Sequence, residues 1–115
     1  MSCVTMNKRF FGAKQVAMVG LDIGITGTCA HYHSDVDIAG LRCSRCEEYF
    51  ACYQCHDALE DHHFVPMAKN SAEPAVLCGR CGQELTYQEY KTGACLNCLA
   101  PFNPRCEIHE DRYFC

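Results

Sequence analysis

The sequence predicts a small metal-stabilised α+β fold, in which short hairpins and helical turns surround a cross-braced two-zinc module and a four-cysteine zinc ribbon. Three observations lead to this prediction. The chain has 115 residues, and 12 of them are cysteine and six are histidine. Cysteines recur along it as Cys-x-x-Cys pairs. No amphipathic pattern is long enough for a helical bundle, so metal must supply stability that burial cannot supply.

Cysteine-rich chains are either disulfide frameworks or sets of metal sites, and targeting signals help to separate the two. The apolar residues 16–21 are too few for the core of a signal peptide, and no apolar run reaches the length of a membrane span. Residues 1–15 contain basic residues and no acid, which is a weak sign of a mitochondrial presequence. The sequence therefore favours reduced cysteines that bind metal.

The charge of the chain bears on its partners. The formal charge is −4 with histidine neutral, and thiolate ligands would make it more negative. Phosphate backbones would be repelled, and no basic stripe with interleaved aromatic residues is present. We therefore expect a protein partner, with neither nucleic acid nor a membrane as a partner.

The Cys-x-x-Cys pairs fall into two groups that a polar, proline-bracketed stretch separates. The pairs are Cys43/Cys46, Cys52/Cys55, Cys78/Cys81 and Cys95/Cys98. The separating stretch runs from Pro66 to Pro74, and its prolines disfavour a regular helix or strand there. We predict five regions: an N-terminal segment (1–18), a cross-braced two-zinc module (19–66), a linker (67–75), a four-cysteine zinc-ribbon lobe (76–100) and a C-terminal tail (101–115).

The predicted helices and strands are short. Residues 16–19 and 36–41 are β-type runs, and nearby glycines mark turns. Residues 57–61 suit one or two helical turns. Thr86 and Glu89 have the spacing of a capping box and predict a second short helix.

The second cysteine group predicts one closed metal site. Its members are Cys78, Cys81, Cys95 and Cys98, in the spacing Cys-x-x-Cys-x13-Cys-x-x-Cys. A Cys-x-x-Cys turn brings two sulfurs within about 2.3 Å of one ion, so two such turns complete a tetrahedron. We expect zinc here, with iron as the alternative that thiolate softness also permits.

The first group offers eight candidate ligands, which must be divided between two ions. Cys55 and His56 are neighbours whose side chains diverge, so they should not share an ion. Cys29 and His31 point to the same face if their segment is extended, which makes them partners. The resulting sets are Cys29, His31, Cys52 and Cys55 for zinc 1, and Cys43, Cys46, His56 and His62 for zinc 2.

The choice between His62 and His63 depends on where a helix ends. On a continuous helix from His56, residue 63 would lie about 10 Å further along the axis, which is too far to share an ion. The helix must therefore end early whichever histidine is used. We predict His62 as the ligand and His63 as an exposed side chain.

Several residues remain outside these sets. Cys106 and His109 form a Cys-x-x-His pair that predicts a possible extra metal site, weakly held, with Cys115 or His33 as further ligands. The alternative is that Cys106 packs as a small apolar residue and His109 is exposed. Cys3 has no assigned role.

Catalytic zinc motifs are absent from the sequence. It contains no His-x-Glu with a later Pro-Cys-x-x-Cys, as zinc deaminases require, and no His-Glu-x-x-His of metalloproteases. A zinc ion with four protein ligands also has no open position for water. We therefore predict that the protein is not an enzyme and has no catalytic residues.

The ligand strings resemble the CHY-type zinc finger family. The resemblance lies in Cys29-Ala30-His31-Tyr32, then Cys43, Cys46, Cys52, the string Cys55-His56-Asp57, and His62. It extends to the group of four cysteines and covers residues 19–99. It implies twelve ligands that hold three zinc ions, and it implies His62 as the last histidine, six residues after His56.

The short stand-alone members of that family, which occur in bacteria and fungi, are the most similar, and residues 102–109 share their ending. The resemblance implies three structural zinc ions in a protein-interaction module. Fungal members that help the small Tim proteins imply two alternatives, a zinc-handling chaperone that acts on partner proteins and a thiol-redox assistant. The implied location is cytoplasmic for a bacterial chain and the mitochondrial intermembrane space for a fungal one.

Overall fold

Short strands build most of the fold. The computed structural model describes residues 6–103 and 113–115, and the elements in this part of the chain follow in order. They are β1 (Met6–Phe11), β2 (Val16–Leu21), β3 (Ala39–Arg42), β4 (Tyr49–Phe50), α1 (Tyr53–Leu59), β5 (Val76–Cys78), β6 (Glu84–Leu85) and α2 (Tyr87–Tyr90). No helix of the described part is long and apolar enough to cross a membrane.

All six strands join one sheet in the order β1-β2-β4-β3-β5-β6. Strand β2 pairs with β4 in parallel, and the other neighbours are antiparallel. Strand β3 precedes the predicted linker and β5 follows it, yet Ala39 lies opposite Cys78 and Leu41 opposite Val76. The sheet therefore continues across the predicted regions 19–66 and 76–100, whose division into domains stays a prediction.

The β1–β2 hairpin was not predicted from the sequence. Its turn has Gly12 and Gln15 at positive φ, 73° and 54°, and the Gln15 N–H donates to the Gly12 carbonyl at 3.1 Å. Strand β1 lacks the alternation that marks a half-buried strand, because most of its residues are exposed. Only Phe11 at its end is buried.

The two predicted strands are present with shifted ends. Strand β2 continues to Leu21, two residues past the predicted run. Strand β3 begins only at Ala39, because residues 34–37 form a turn in which the Ser34 hydroxyl donates to the Asp37 carboxylate at 2.7 Å. The side chain of Asn103 donates to the same carboxylate at 2.8 Å, which fixes the turn.

Each helix is capped at its N-terminus by the side chain of the residue that precedes it. Helix α1 begins four residues earlier than the predicted turn, because the Cys52 sulfur accepts the Cys55 N–H at 3.3 Å and serves as its N-cap. The predicted capping box of α2 is confirmed: Thr86 N–H donates to the Glu89 carboxylate at 2.9 Å, and Glu89 N–H donates to the Thr86 hydroxyl at 3.3 Å.

Two hydrophobic clusters lie on opposite faces of the sheet. Met18 and Val19 are consecutive in β2 and belong to different clusters, as do Val76 and Leu77 in β5. Successive residues of a strand point to opposite faces, so the sheet separates the two clusters. Both clusters include buried cysteines, so several of the candidate metal ligands lie inside the core.

Candidate metal centres

The structure brings each predicted set of four ligands together. In each set the four ligand atoms lie within 4.8 Å of one another. The sets are Cys29, His31, Cys52 and Cys55 (site 1), Cys43, Cys46, His56 and His62 (site 2), and Cys78, Cys81, Cys95 and Cys98 (site 3). Three Cys/His clusters suited to three zinc ions are therefore present in the described part of the chain.

Site 1 forms where a turn meets the start of α1. The sulfur of Cys52 lies 3.7 Å from that of Cys29 and 3.6 Å from that of Cys55. The His31 Nδ1 lies 3.4 Å from the Cys52 sulfur and 3.5 Å from the Cys55 sulfur. The expected extended segment at residues 29–31 is wrong, because the Cys29 N–H donates to the Tyr32 carbonyl at 2.8 Å and closes a turn.

Site 2 joins the turn after β3 to helix α1 and the loop that follows it. The Cys46 sulfur lies 3.3 Å from His56 Nε2 and 3.6 Å from His62 Nε2. The Cys43 sulfur lies 3.7 Å from His62 Nε2, and the two histidine Nε2 atoms are 3.2 Å apart. His56 is fully buried at this site.

His62 belongs to the cluster and His63 does not. Helix α1 ends at Leu59, and Glu60 is extended with φ −111° and ψ 163°, which redirects the chain toward the cysteines. The side chain of His63 is 97% exposed, and its Nδ1 lies 3.3 Å from an Asp57 carboxylate oxygen. The sequence predicted that the helix ends soon after His56, and helix α1 does so.

Site 3 joins the end of β5 to the turn at residues 95–98. The Cys78 and Cys98 sulfurs are 3.7 Å apart, and the Cys81 and Cys95 sulfurs are 3.6 Å apart. Cys78 and Cys95 are fully buried, whereas Cys98 is exposed. One edge of this site therefore faces solvent.

Three of the Cys-x-x-Cys turns share one backbone geometry. The residue after the second cysteine has a positive φ, 58° at Glu47, 79° at Gly82 and 65° at Leu99. Each of these residues donates its N–H at 2.8 Å to the carbonyl of the first cysteine of its pair, namely Cys43, Cys78 and Cys95. The fourth pair instead opens helix α1. The backbone hydrogen bonds of these turns therefore orient the sulfurs toward one another.

The spacing of the ligand atoms fits a tetrahedral zinc ion. With Zn–S of about 2.3 Å and Zn–N of about 2.0 Å, the tetrahedron edges are about 3.8 Å for S–S, about 3.5 Å for S–N and about 3.3 Å for N–N. The S–S separations are 3.6–3.7 Å, and the histidine nitrogens of site 2 are 3.2 Å apart. A disulfide needs about 2.05 Å, so these pairs of sulfurs are not cross-linked. The donor atoms are also the soft set that zinc prefers.

The thiols of the first two clusters divide into easily ionised and resistant ones. Hydrogen bonds from the Cys52 and Cys55 thiols lower the pKa of Cys29. The bond between Cys52 and Cys29 in turn raises the pKa of Cys52. Burial opposes ionisation of Cys43, but N–H donors such as Cys46 outweigh it and lower its pKa to about 6. Burial raises the pKa of Cys46 to about 12.

Site 3 repeats this division. Burial opposes ionisation of Cys81, but the Asn97 amide and the Gln83 N–H outweigh it and lower its pKa to about 7. Burial raises the pKa of Cys78 and of Cys95. Neighbouring thiolates repel one another, and a divalent cation offsets that repulsion, so the donor set calls for a metal ion.

Carboxylates orient both histidines of site 2. The His56 Nδ1 lies 3.0 Å from Asp57, whose carboxylate also accepts the Phe64 N–H at 2.8 Å. The His62 Nδ1 lies 3.1 Å from Asp61. Such partners fix the ring so that Nε2 faces the metal. Sequence reasoning missed this role, although an aspartate adjoins each of these histidines and was the available signal.

The leftover candidates that the structure describes, His33 and Cys115, do not belong to these clusters. His33 is exposed, and so is Cys115, whose N–H donates to the Met67 carbonyl at 2.9 Å. Cys3, Cys106 and His109 lie outside the described residues, so the possible extra metal site stays a prediction.

Sequence comparisons agree with this geometry and define the class of protein. The model of the CHY zinc finger family matches residues 29–107, so the chain belongs to that family. It is 32% identical over 106 residues to Helper of Tim protein 13 of Saccharomyces cerevisiae, covering 87% of this chain and 91% of that protein. It is 39% identical over 88 residues to the Kluyveromyces lactis protein of the same name, covering 75% and 77%. It is 48% identical over 88 residues to an uncharacterized protein of Schizosaccharomyces pombe, covering 75% and 78%.

Proposed function

We propose that the protein binds three structural zinc ions through the twelve residues of sites 1, 2 and 3 and acts as a protein-interaction module. The observation that supports this is the convergence of three tetrads, each with its four ligand atoms within 4.8 Å. Each ion would supply the cross-link that holds distant parts of the chain together. With four protein ligands at each site no position is left for a reacting water, so we assign the protein no catalytic activity.

The proposed arrangement is a cross-braced pair of sites followed by a four-cysteine site of the ribbon type. Site 1 uses residues 29–55 and site 2 uses residues 43–62, so their ligands alternate along the chain. Site 3 uses residues 78–98 alone. Strand pairing between β3 and β5 places both parts on one sheet, which gives the three sites a common scaffold.

Zinc counts of single-ligand variants test the proposal. We expect wild type to carry three zinc ions per chain by native mass spectrometry. Cys52→Ser for site 1, His56→Ala for site 2 and Cys95→Ser for site 3 should each lower that count. Cys115→Ser is the matched control and should keep three, because Cys115 is exposed and outside the clusters. A wild-type count below three would refute the proposal.

A Tim protein is the partner that the relatives support, and the mitochondrial intermembrane space is the proposed location. Two relatives that share 32% and 39% identity with this chain are named as helpers of Tim protein. Purified Tim proteins of Saccharomyces cerevisiae are the probes, and binding is followed by analytical ultracentrifugation. We expect zinc-loaded protein to bind and zinc-stripped protein not to bind. Equal binding by both forms, or by neither, would contradict this role.

A second function, zinc handling, is favoured by one observation. Cys98 of site 3 is exposed, whereas Cys78 and Cys95 of the same site are fully buried. An exposed thiolate is the ligand that a competing chelator reaches first. Zinc handling predicts that one ion leaves well before the other two in a chelator time course, and that Cys95→Ser protein lacks this fast phase. Release of all three ions at one rate would exclude it.

A further inference from the structure

Strand β1 is the long free edge of the described sheet. The sheet order places β1 at one edge and β6 at the other. Strand β6 has two residues, which is a common protection against further pairing, whereas β1 has six. Both β1 and β2 lie outside residues 29–107, the part that matches the family model.

The backbone groups that face away from β2 can be assigned from the register. The Val19 carbonyl accepts the Ala51 N–H, and Leu21 accepts the Ala30 N–H and donates to the Cys55 sulfur, so the backbone groups of Val19 and Leu21 face away from β1. Bonded and non-bonded pairs alternate along the hairpin, so Met6, Lys8 and Phe10 of β1 occupy the non-bonded pairs. Their N–H and C=O groups therefore point outward, away from every other described strand.

One face of β1 is held firmly by its neighbours. The Asn7 side chain accepts the Ile23 N–H at 2.9 Å, and the Arg9 Nε donates to the Ile23 carbonyl at 3.0 Å. These contacts keep the strand in place without using its outer backbone groups. The edge is therefore preformed, which lowers the entropy lost when another strand pairs with it.

The other face of β1 is apolar, basic and exposed. Met6 and Phe10 are 55% and 56% exposed, and Lys8 lies between them on the same face. Residues 6–21 contain three basic residues and no acidic one, although the chain as a whole has a formal charge of −4. A second copy would bring the same positive strand to this edge and be repelled. An acidic strand would be attracted.

We propose that the outer edge of β1 accepts an extended acidic segment of a partner protein as a seventh strand. This assignment rests on the proposed function as an interaction module and names its surface. Backbone bonds to Met6, Lys8 and Phe10 supply affinity, as in other cases of strand addition. On the exposed face the segment presents apolar side chains to Met6 and Phe10 and an acidic one to Lys8. The recognised pattern is therefore apolar, acidic, apolar at every second residue.

A pair of synthetic peptides tests the assignment on the zinc-loaded full chain. The acidic probe has the sequence Glu-Val-Glu-Glu-Glu-Val-Glu with blocked ends, and the control replaces each Glu by Lys. Amide hydrogen exchange of residues 6, 8 and 10 is measured by NMR. The acidic peptide should slow exchange at these amides at least about tenfold, and the basic peptide should leave it unchanged.

Matched variants isolate the edge N–H from the side chain. Phe10→Ala and Phe10→Pro both lose the exposed aromatic ring, but only proline lacks the outward N–H. Phe10→Ala should retain protection of amides 6 and 8 by the acidic peptide, and Phe10→Pro should lose it. Lys8→Glu provides a second variant at an exposed position and should weaken acidic-peptide binding at least about tenfold.

Several results would overturn the assignment. They are equal protection by both peptides, no protection by the acidic peptide, unchanged binding by Lys8→Glu, and equal binding by the proline and alanine variants. A wild-type protein with three zinc ions that binds a Tim protein but ignores the acidic peptide would refute the edge assignment alone. A wild type without its zinc ions would refute the proposed function instead.

Discussion

Cys55 and His56 are adjacent in the chain, yet their ligand atoms belong to different clusters. The Cys55 sulfur lies 3.5 Å from His31 Nδ1, and the His56 Nε2 lies 3.2 Å from His62 Nε2. One turn of helix α1 therefore supplies both site 1 and site 2. Because the two sites share this turn, loss of the ion from one should disturb the other.

Removal of zinc should unfold the protein. Structural zinc contributes roughly 10 kcal/mol or more per site, whereas the net stability of a domain is only about 5–15 kcal/mol. A strong chelator at neutral pH should abolish the cooperative thermal transition followed by circular dichroism. The control is the same protein with excess zinc added back, which should restore the transition. A transition that survives complete metal removal would contradict the account.

His62→Ala and His63→Ala form a matched pair of neighbouring substitutions. His62 Nε2 lies within 3.7 Å of Cys43 and of Cys46, whereas the His63 side chain is 97% exposed. His62→Ala should remove zinc from site 2 and lower the midpoint of thermal unfolding, whereas His63→Ala should leave both unchanged. Native mass spectrometry and a melting curve measure the two effects. The reverse ranking would mean that His63 is the ligand.

Gly82 and Leu99 occupy equivalent positions but should respond in opposite ways to substitution. A Cβ at Gly82 would lie 2.4 Å from Gly12 Cα, and φ is +79°. Gly82→Ala should therefore cost about 1–3 kcal/mol in the free energy of unfolding. Leu99 has φ +65° and is 75% exposed, so Leu99→Gly relieves backbone strain and loses little packing.

Denaturant unfolding of the zinc-loaded proteins measures both changes. We expect Leu99→Gly to unfold at the same denaturant concentration as wild type or at a higher one. Equal destabilisation by Leu99→Gly and Gly82→Ala would show that the equivalence of the two turns is wrong.

Asp57 should matter more than Asp61 for zinc at site 2. Asp57 is 28% exposed, contacts His56 Nδ1 and accepts the Phe64 N–H, whereas Asp61 is 93% exposed and contacts only His62 among these groups. Carboxylates that orient histidine ligands contribute about 10–100-fold in metal affinity. Asp57→Asn should weaken zinc binding within that range, and Asp61→Asn less. Chelator competition ranks the two variants, and equal losses would count against a special role for Asp57.

The sequence predicted how the ligands group because that grouping follows from local geometry. Adjacent side chains diverge, which separates Cys55 from His56, and Cys-x-x-Cys turns bring sulfurs together. The capping box at Thr86 was likewise local. The sheet order was not predictable, because β3 pairs with β5 although residues 67–75 between them have the composition of a linker. The conformation at Cys29 was also missed, since a hydrogen bond to Tyr32 turns the segment that we expected to be extended.

Strand β1 shows why exposure limits such prediction. Its residues alternate too little in polarity to indicate a strand, and its pairing with β2 depends on the turn at Gly12 and Gln15. The same exposure is what makes its outer edge accessible to a partner.

Zinc K-edge X-ray absorption of the purified protein tests the central claim most directly. The nine cysteines and three histidines of the three sites predict an average of three sulfurs and one nitrogen per zinc ion. The sulfur shell should lie at about 2.3 Å and the nitrogen shell at about 2.0 Å. An average shell dominated by oxygen or nitrogen, or fewer than three sulfurs per ion with the cysteines joined in disulfides, would contradict a fold organised by these twelve ligands.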